Sequence, residues 1–377
     1  MRIAILTSGR FHVCDLAREL DALGHEVAFY SLVPPWRTRR FGLPARCNRW
    51  LMPYVAPFFA AARASRGTRL ESRSDQLLAI GLDRVASMVI NRCDVFIGMS
   101  GMCLHTIEAM RSKYRAKVFV ERGSRHILSQ REILESLPRT PGSQPPVPDW
   151  SVQRELAEYD LADSIVVPSM HVVQSFIERG IKESRIFRNP YGVNLDMFPA
   201  TESPTPESPS QIVMTGAWSL RKGCDILVDA WRRINGARLL HVGSVEDAPL
   251  PSEHGFEHHA PVDQNQLSRF YARGHVFALA SREDGLALVQ AQALASGLRL
   301  VCTDRTGGED LRYFLDDPDL ISIVPSSDAT ALSSALARAL ESARLVRGLR
   351  DLLGRARDKL SWHAYGERYN QALAERV

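Results

Sequence analysis

The chain has 377 residues, 45% of them hydrophobic and 24% charged, enough for about two domains at the usual ~150 residues each. Disordered, collagen-like and coiled-coil classes are excluded, and the longest apolar runs (Ile3 to Leu6, Val55 to Ala62) fall far short of the ~18–20 residues that span a bilayer. Net charge is only +4, yet residues 36–66 hold seven arginines and no Asp, Glu or Lys, so the basic excess sits in one segment rich in aromatic residues.

In chain order, Ile3 to Leu6 reads as a strand buried on both faces, followed by a turn at Thr7-Ser8-Gly9. Its short apolar part does not suit a signal peptide. Val13, Leu16, Ala17, Leu20 and Leu23 then recur at helical spacing, Gly24 stands at the helix C-cap, and Glu26 to Ser31 supplies the next strand. This is a βαβ unit, which implies a parallel sheet covered by helices. Further strands are expected at Asp94 to Gly98, Ala116 to Glu121, Ser164 to Pro168 and Arg185 to Phe187, with a Pro-rich surface loop from Pro138 to Pro148. Thr201 to Ser210, with three prolines in ten residues, reads as an interdomain linker. The alternation then restarts, with strands at Gln211 to Thr215, Ala237 to Gly243, His275 to Ala280, Leu298 to Thr303 and Leu320 to Val324. The six cysteines (14, 47, 93, 103, 224, 302) form no CxxC pair, which points to reduced thiols in the cytoplasm and against a zinc site.

Two doubly wound domains facing each other form a cleft, and ligands of such sheets sit at the carboxyl ends of the strands. The Gly9 turn offers backbone N–H groups suited to an anion but lacks the G-x-G-x-x-G spacing of a dinucleotide site. Gly216 to Gly223 follows the first strand of the second half and carries Arg221 and Lys222 at a helix start, a phosphate-binding arrangement; the bland alternative is a solvated pair on a turn. Thr303 to Asp310 is a second strand-to-helix turn, in which Thr306, Gly307 and Gly308 could present N–H groups to a pyrophosphate. Ser281 to Gly297 brings Glu283, Asp284 and Gly285 to a helix start, with Gln292 expected two turns along the same face.

This last stretch, Asp284-Gly285-Leu286-Ala287 through Gln292-Ala293 to Gly297, resembles the E-G-F-G-L-x-x-x-E-A-x-A-x-G stretch of GT-B glycosyltransferases of family 4 (glycosyl transferases group 1). Other pieces agree in order: Gly24-His25-Glu26-Val27, Glu158-Tyr159, Ala162-Asp163, Val167-Pro168-Ser169, Asn189 to Asn194, Lys222-Gly223 and Ser361-Trp362. The departures are specific. Asp284 and Gln292 replace the family's two glutamates, Ala217 replaces an arginine for which Arg221 could stand in, and the family's N-domain histidine is absent, with His126 the nearest candidate.

The resemblance implies an α/β protein of two Rossmann-like domains: residues 1–198 for the acceptor, a linker at 199–210, residues 211–360 for the nucleotide-sugar, and a helix at 361–377 crossing back to the first domain. It implies a retaining glycosyltransferase without metal or other cofactor, acting in surface polysaccharide or glycolipid synthesis. Lys222, Arg221, Asp284, Glu283 and His126 would be catalytic; Gly9, Gly216, Lys222, Gly285, Leu286, Gln292, Thr306, Gly307 and Gly308 would hold the donor. A Gln carbonyl at 292 can still accept ribose hydroxyls. The alternatives are a catalytically silent nucleotide- or glycan-binding partner and a sugar-nucleotide epimerase. Trp36, Arg37, Arg39, Arg40, Arg49 and Trp50, arginines among aromatics, have the composition of a surface that meets an acceptor or anionic headgroups rather than nucleic acid. A cytoplasmic protein, peripheral on the inner face of the membrane, is expected.

Overall fold

The computed structural model describes residues 1–139, 144–205 and 207–377; part of the Pro138 to Pro148 loop and one position of the Thr201 to Ser210 stretch therefore lie outside the described residues. Two parallel sheets organise the chain. The first comprises β1 (Arg2–Leu6), β2 (Glu26–Ser31), β3 (Asn48–Trp50), β4 (Val95–Met99), β5 (Lys117–Glu121), β6 (Ser164–Val167) and β7 (Ile186–Arg188), in the order β3-β2-β1-β4-β5-β6-β7. The second comprises β8 (Gln211–Thr215), β9 (Arg238–Val242), β10 (Phe256–His259), β11 (Val276–Leu279), β12 (Arg299–Thr303) and β13 (Ile321–Val324), in the order β10-β9-β8-β11-β12-β13. Strand order reverses between β1 and β4 in one sheet and between β8 and β11 in the other.

Helices cover the sheets because each crossover between parallel strands must return over a face. The N-terminal half carries α1 (Phe11–Ala22), α2 (Pro35–Arg39), α3 (Met52–Ala64), α4 (Glu71–Val89), α5 (Leu104–Tyr114), α6 (Ile127–Glu135), α7 (Asp149–Leu161) and α8 (Met170–Ile177). The C-terminal half carries α9 (Cys224–Arg232), α10 (Leu267–Arg273), α11 (Leu288–Ala295), α12 (Gly308–Arg312), α13 (Ala329–Leu345) and α14 (Trp362–Arg376). The central strands are continuous apolar runs and are buried on both faces, as in β1 and β6. Gly24, at φ +88, ends α1 in the left-handed conformation that only glycine adopts freely.

The two edge strands β3 and β10 were not expected from the sequence. Asn-Arg-Trp and Phe-Glu-His-His are short and mostly polar, and being half solvated they need no apolar run.

The chain passes between the domains twice, side by side. Val193 pairs with Ser361, and its N–H donates to Leu360 O at 2.8 Å. A Cβ on Gly192 would fall 2.6 Å from the Trp362 backbone. The Pro-rich stretch beyond lies on the C-terminal domain, where Thr201 Oγ1 donates to Ser296 O at 2.7 Å and Glu202 pairs with Leu349. After the second passage, α14 packs on α1 of the N-terminal domain. Gly366 lies against Glu19, and Tyr365 and Tyr369 are fully buried beside His12 and Phe119. Ser361 caps this helix by accepting the Ala364 N–H at 3.1 Å.

Because α14 completes the N-terminal core, Leu373→Ala, at a fully buried position, should cost about 2–5 kcal/mol of stability. The exposed Glu375→Ala should change little. Urea unfolding monitored by circular dichroism checks this; equal midpoints for the two variants would show that α14 is not part of the cooperative unit.

Candidate functional site

The carboxyl ends of the two sheets face one another across a cleft. Arg10, just after β1, donates from Nη1 to Gln264 Oε1 of the C-terminal domain at 2.8 Å. Ser169, at the end of β6, donates from Oγ to Gly285 O at 2.7 Å, and His171 Nε2 donates to the same carbonyl at 2.8 Å. Burial lowers the His171 pKa to about 4, so the ring is neutral at pH 7 and its Nε2–H is available for this bond. Gly285 sits so close that a Cβ would meet Gly123 O at 1.8 Å. The domains are thus closed on each other at the centre of the cleft.

Arg221 and Lys222 stand in the turn between β8 and α9, at the point where the strand order reverses. Gly223 makes this turn possible: it has φ +66, and a Cβ there would overlap Ala280 O at 2.0 Å. Across from the turn lie the carboxylates that follow β11. Arg221 Nη1 meets Glu283 Oε2 at 3.1 Å, and Lys222 Nζ pairs with Asp284. Burial opposes the Arg221 charge, but Asp284 and Glu283 outweigh it and raise the Arg221 pKa. Glu283 is fully buried and also reaches the N-terminal domain, accepting from Gln130 Nε2 at 3.2 Å and from the Arg125 N–H at 3.4 Å. One carboxylate therefore joins the cation turn to both domains.

Several expected site residues have other environments. The helix expected to open at Asp284 begins instead at Leu288, with Ala287 at its N-cap, so Asp284 and Gln292 do not share a helix face. The Asp284–Ala287 stretch is irregular and contacts the N-terminal domain through the Gly285 carbonyl, which periodicity cannot register. Gln292 is buried and accepts from Tyr271 O–H at 3.4 Å, next to Thr215 at the end of β8. Leu286 is packed in the core. Thr306, Gly307 and Gly308 do not form an open N–H cradle. Thr306 is buried and donates from Oγ1 to Thr303 O at 2.8 Å, and Gly307 lies under Gly285 and Ser169. Asp310, at the start of α12, accepts the Met170 N–H at 2.9 Å and pairs with Arg188, so this turn serves domain contact.

His126 is an N-cap rather than a cleft residue. Its Nδ1 accepts the Leu128 N–H at 3.3 Å, its ring lies between Tyr159 and Phe176, and burial lowers its pKa to about 4. The Gly9 N–H is directed at Thr7 Oγ1 at 3.3 Å, and the Gly216 N–H donates to Val242 O at 3.0 Å. The pair His12–Glu121 was missed by sequence reasoning. His12 Nε2 lies 2.9 Å from Glu121 Oε2 in a buried setting, and His12 stacks on Tyr191 with centroids 4.3 Å apart. The two residues are 109 apart in sequence, a separation with no local signal. Among the described residues no group of His, Cys, Asp and Glu has the form of a metal centre, and no helix is long and apolar enough to cross a membrane.

This architecture, two facing Rossmann-like α/β domains with a cation-bearing turn at the switch point of the second, is the GT-B glycosyltransferase fold. Residues 209–342, most of the C-terminal domain, match the family model of the glycosyl transferases group 1. The whole chain is similar in fold to sucrose-phosphate synthase from Thermosynechococcus elongatus (TM-score 0.70, 16% identity, covering 100% of this chain and 98% of that one). It is similar also to Anabaena HepE in complex with UDP and glucose (0.66, 12%, 100% of each chain). A third is the lipopolysaccharide outer core galactosyltransferase WaaB (0.64, 12%, 100% of each chain). No curated protein sequence matches the chain.

The close approach at Gly285 gives a direct test of the closed arrangement. Gly285→Ala places a Cβ against the Gly123 carbonyl, which a packed backbone cannot relieve without separating the domains. Small-angle scattering should show a larger radius of gyration than wild type at equal secondary-structure content. An unchanged radius would mean that the two backbones are not in contact in solution.

Proposed function

We propose that the chain is a glycosyltransferase that moves a sugar from a nucleotide-sugar donor to a glycan or lipid-linked acceptor, with retention at the anomeric carbon. The observation that carries this reading is the placement of Arg221 and Lys222 at the strand-order reversal of the C-terminal sheet, where ligands of such sheets bind. The acceptor hydroxyl oxygen bonds to the anomeric carbon as the bond from that carbon to the diphosphate oxygen breaks; negative charge grows on the leaving diphosphate, which takes up the hydroxyl proton. A fixed ammonium and a guanidinium fork can stabilise that charge. Both cations now rest on Glu283 and Asp284, so an entering diphosphate exchanges one set of anionic partners for another and no cation is left bare. Gln292, beside Tyr271 and Thr215, is the residue we assign to the donor ribose; its carbonyl oxygen has a second lone pair beyond the Tyr271 bond.

The second reading, a silent nucleotide-binding partner, is favoured by the covered Thr306–Gly308 turn and by glutamine in place of the family's second glutamate. Turnover separates the two. Lys222→Ala should lower sugar transfer by about 10²–10³-fold. Gln292→Leu should weaken donor binding by about 1–3 kcal/mol, whereas Gln292→Glu should keep it. The readouts are donor consumption against a UDP-sugar panel and titration calorimetry; no turnover with any donor, but intact nucleotide binding, would favour the silent partner.

We further assign the arginine-aromatic segment to an anionic membrane surface, from which a lipid-linked acceptor would be drawn. Trp36, Arg37, Arg39, Arg40, Arg46, Arg49 and Trp50 are exposed. The following helix α3 is almost wholly apolar, yet it buries only Val55 and Ala62 and leaves Tyr54 62% and Phe58 40% exposed. Eight arginines and no acidic residue lie between Val27 and Leu70. Each basic residue near an anionic surface contributes about 1 kcal/mol, and the exposed rings supply apolar insertion. Arg40 and Phe41 also line the pocket beside Arg10, Gln264 and Trp362, so this surface reaches the mouth of the cleft. The chain should co-sediment with anionic liposomes at low salt and release at high salt. Replacing Arg37, Arg39 and Arg40 by Gln should abolish binding; retained binding would make the segment a wall of the acceptor site instead.

A further inference from the structure

We propose that a second interdomain cavity, between Arg125 and Arg179 of the N-terminal domain and Arg305 of the C-terminal domain, binds a phosphate group carried by the acceptor. The cavity has a volume of about 490 Å³ and lies at the β12–β13 side of the cleft, walled by both domains and rimmed by Ser129 and Ser326. That volume suits a sugar-phosphate-sized group.

Its arginines are unequally satisfied. Arg282 on the cavity wall is held by both oxygens of Asp225, at 2.7 and 2.6 Å, and Arg179 is paired with Glu132. Arg125 is different: only 6% exposed, it donates from Nη1 to His171 O at 3.3 Å and stands 3.7 Å from Glu178. Its Nε is buried with no hydrogen-bond partner among the described residues. Arg305 has its nearest carboxylate, Asp304, at 3.8 Å. Two weakly partnered guanidiniums, one from each domain, thus face a single cavity. Burial and then the charge of Arg305 lower the Arg125 pKa, which is the cost that a bound anion would remove.

A phosphate ester fits better than a carboxylate here, because its three free oxygens can meet guanidinium forks from two directions and serine hydroxyls as well. The donor diphosphate is already provided for by Arg221 and Lys222, on the β8–β11 side. The cavity nevertheless adjoins that site, since the Arg125 N–H donates to Glu283 Oε1, the same side chain that holds Arg221. A phosphate bridging Arg125 and Arg305 would therefore anchor an acceptor next to the donor and favour the closed arrangement. That the phosphate belongs to an acceptor rests on the glycosyltransferase reading; binding itself does not. The phosphate could belong to a soluble sugar phosphate or to a lipid-linked sugar diphosphate.

The test is calorimetric titration of the full chain with inorganic phosphate, glucose 6-phosphate and farnesyl diphosphate, with UDP titrated in parallel. Saturable binding of glucose 6-phosphate alone supports a soluble acceptor, and binding of farnesyl diphosphate alone supports a lipid-linked one. In either case Arg125→Gln and the partly exposed Arg305→Gln should each weaken phosphate-ester binding about tenfold or more while leaving UDP affinity unchanged. Since Arg125→Gln disturbs a buried position, Arg305→Gln decides if the former fails to fold. No saturation by any of the three probes up to about 10 mM, with UDP still bound, overturns the proposal, as does wild-type affinity in Arg305→Gln. Lost UDP binding with phosphate-ester binding intact would instead overturn the donor reading alone.

Discussion

Where the Gly285 backbone lies against the Gly123 carbonyl, two separately folded sheets become one cleft, and most of the site follows from that contact. Gly285 tolerates no side chain at this distance, so the closure is made there by backbone. Ser169 and His171 then donate to the Gly285 carbonyl, which leaves this buried acceptor satisfied. The loop that carries Glu283 and Asp284 is thereby fixed with respect to the N-terminal domain, and with it the partners of Arg221 and Lys222.

The electrostatics of the cleft depend on the same loop. Burying Glu283 would be costly for an isolated carboxylate, and it is tolerated because Arg221, Gln130 and the Arg125 N–H all donate to it. The cations of the turn are therefore held in place by the carboxylates of the opposite loop. Domain closure and charge placement are coupled through one side chain, since breaking the contacts of Glu283 to the N-terminal domain would also loosen its hold on Arg221.

The outer surface is arranged on a different principle. The seven-stranded sheet ends at β3, and around that edge the chain presents exposed arginines and aromatic rings. Helix α3 buries Val55 and Ala62 but leaves Tyr54 and Phe58 exposed, the kind of apolar surface that marks an interaction site. Arg10 stacks on Phe41 at 3.6 Å, which ties this region to the first turn of the cleft.

Much was legible in the sequence because buried parallel strands are short continuous apolar runs and their helices repeat at 3.6 residues. Eleven of the thirteen strands among the described residues answer to such runs, and the Arg221-Lys222 turn was visible from its place between a strand and a helix. The strands β3 and β10 were not, since each is short and mostly polar at a half-solvated sheet edge. Nor could local pattern reveal that α11 starts only at Leu288, that His126 caps α6, or that His12 meets Glu121 across 109 residues. The Thr306–Gly308 turn shows the limit most clearly: glycines after a strand look like an open anion cradle, and only the approach of the opposite domain covers them. Local sequence determined the elements and their order through periodicity and turn chemistry. Which polar groups face the cleft was decided by the packing of one domain on the other, because that packing alone sets which charges are paired, which are buried and which remain for a ligand.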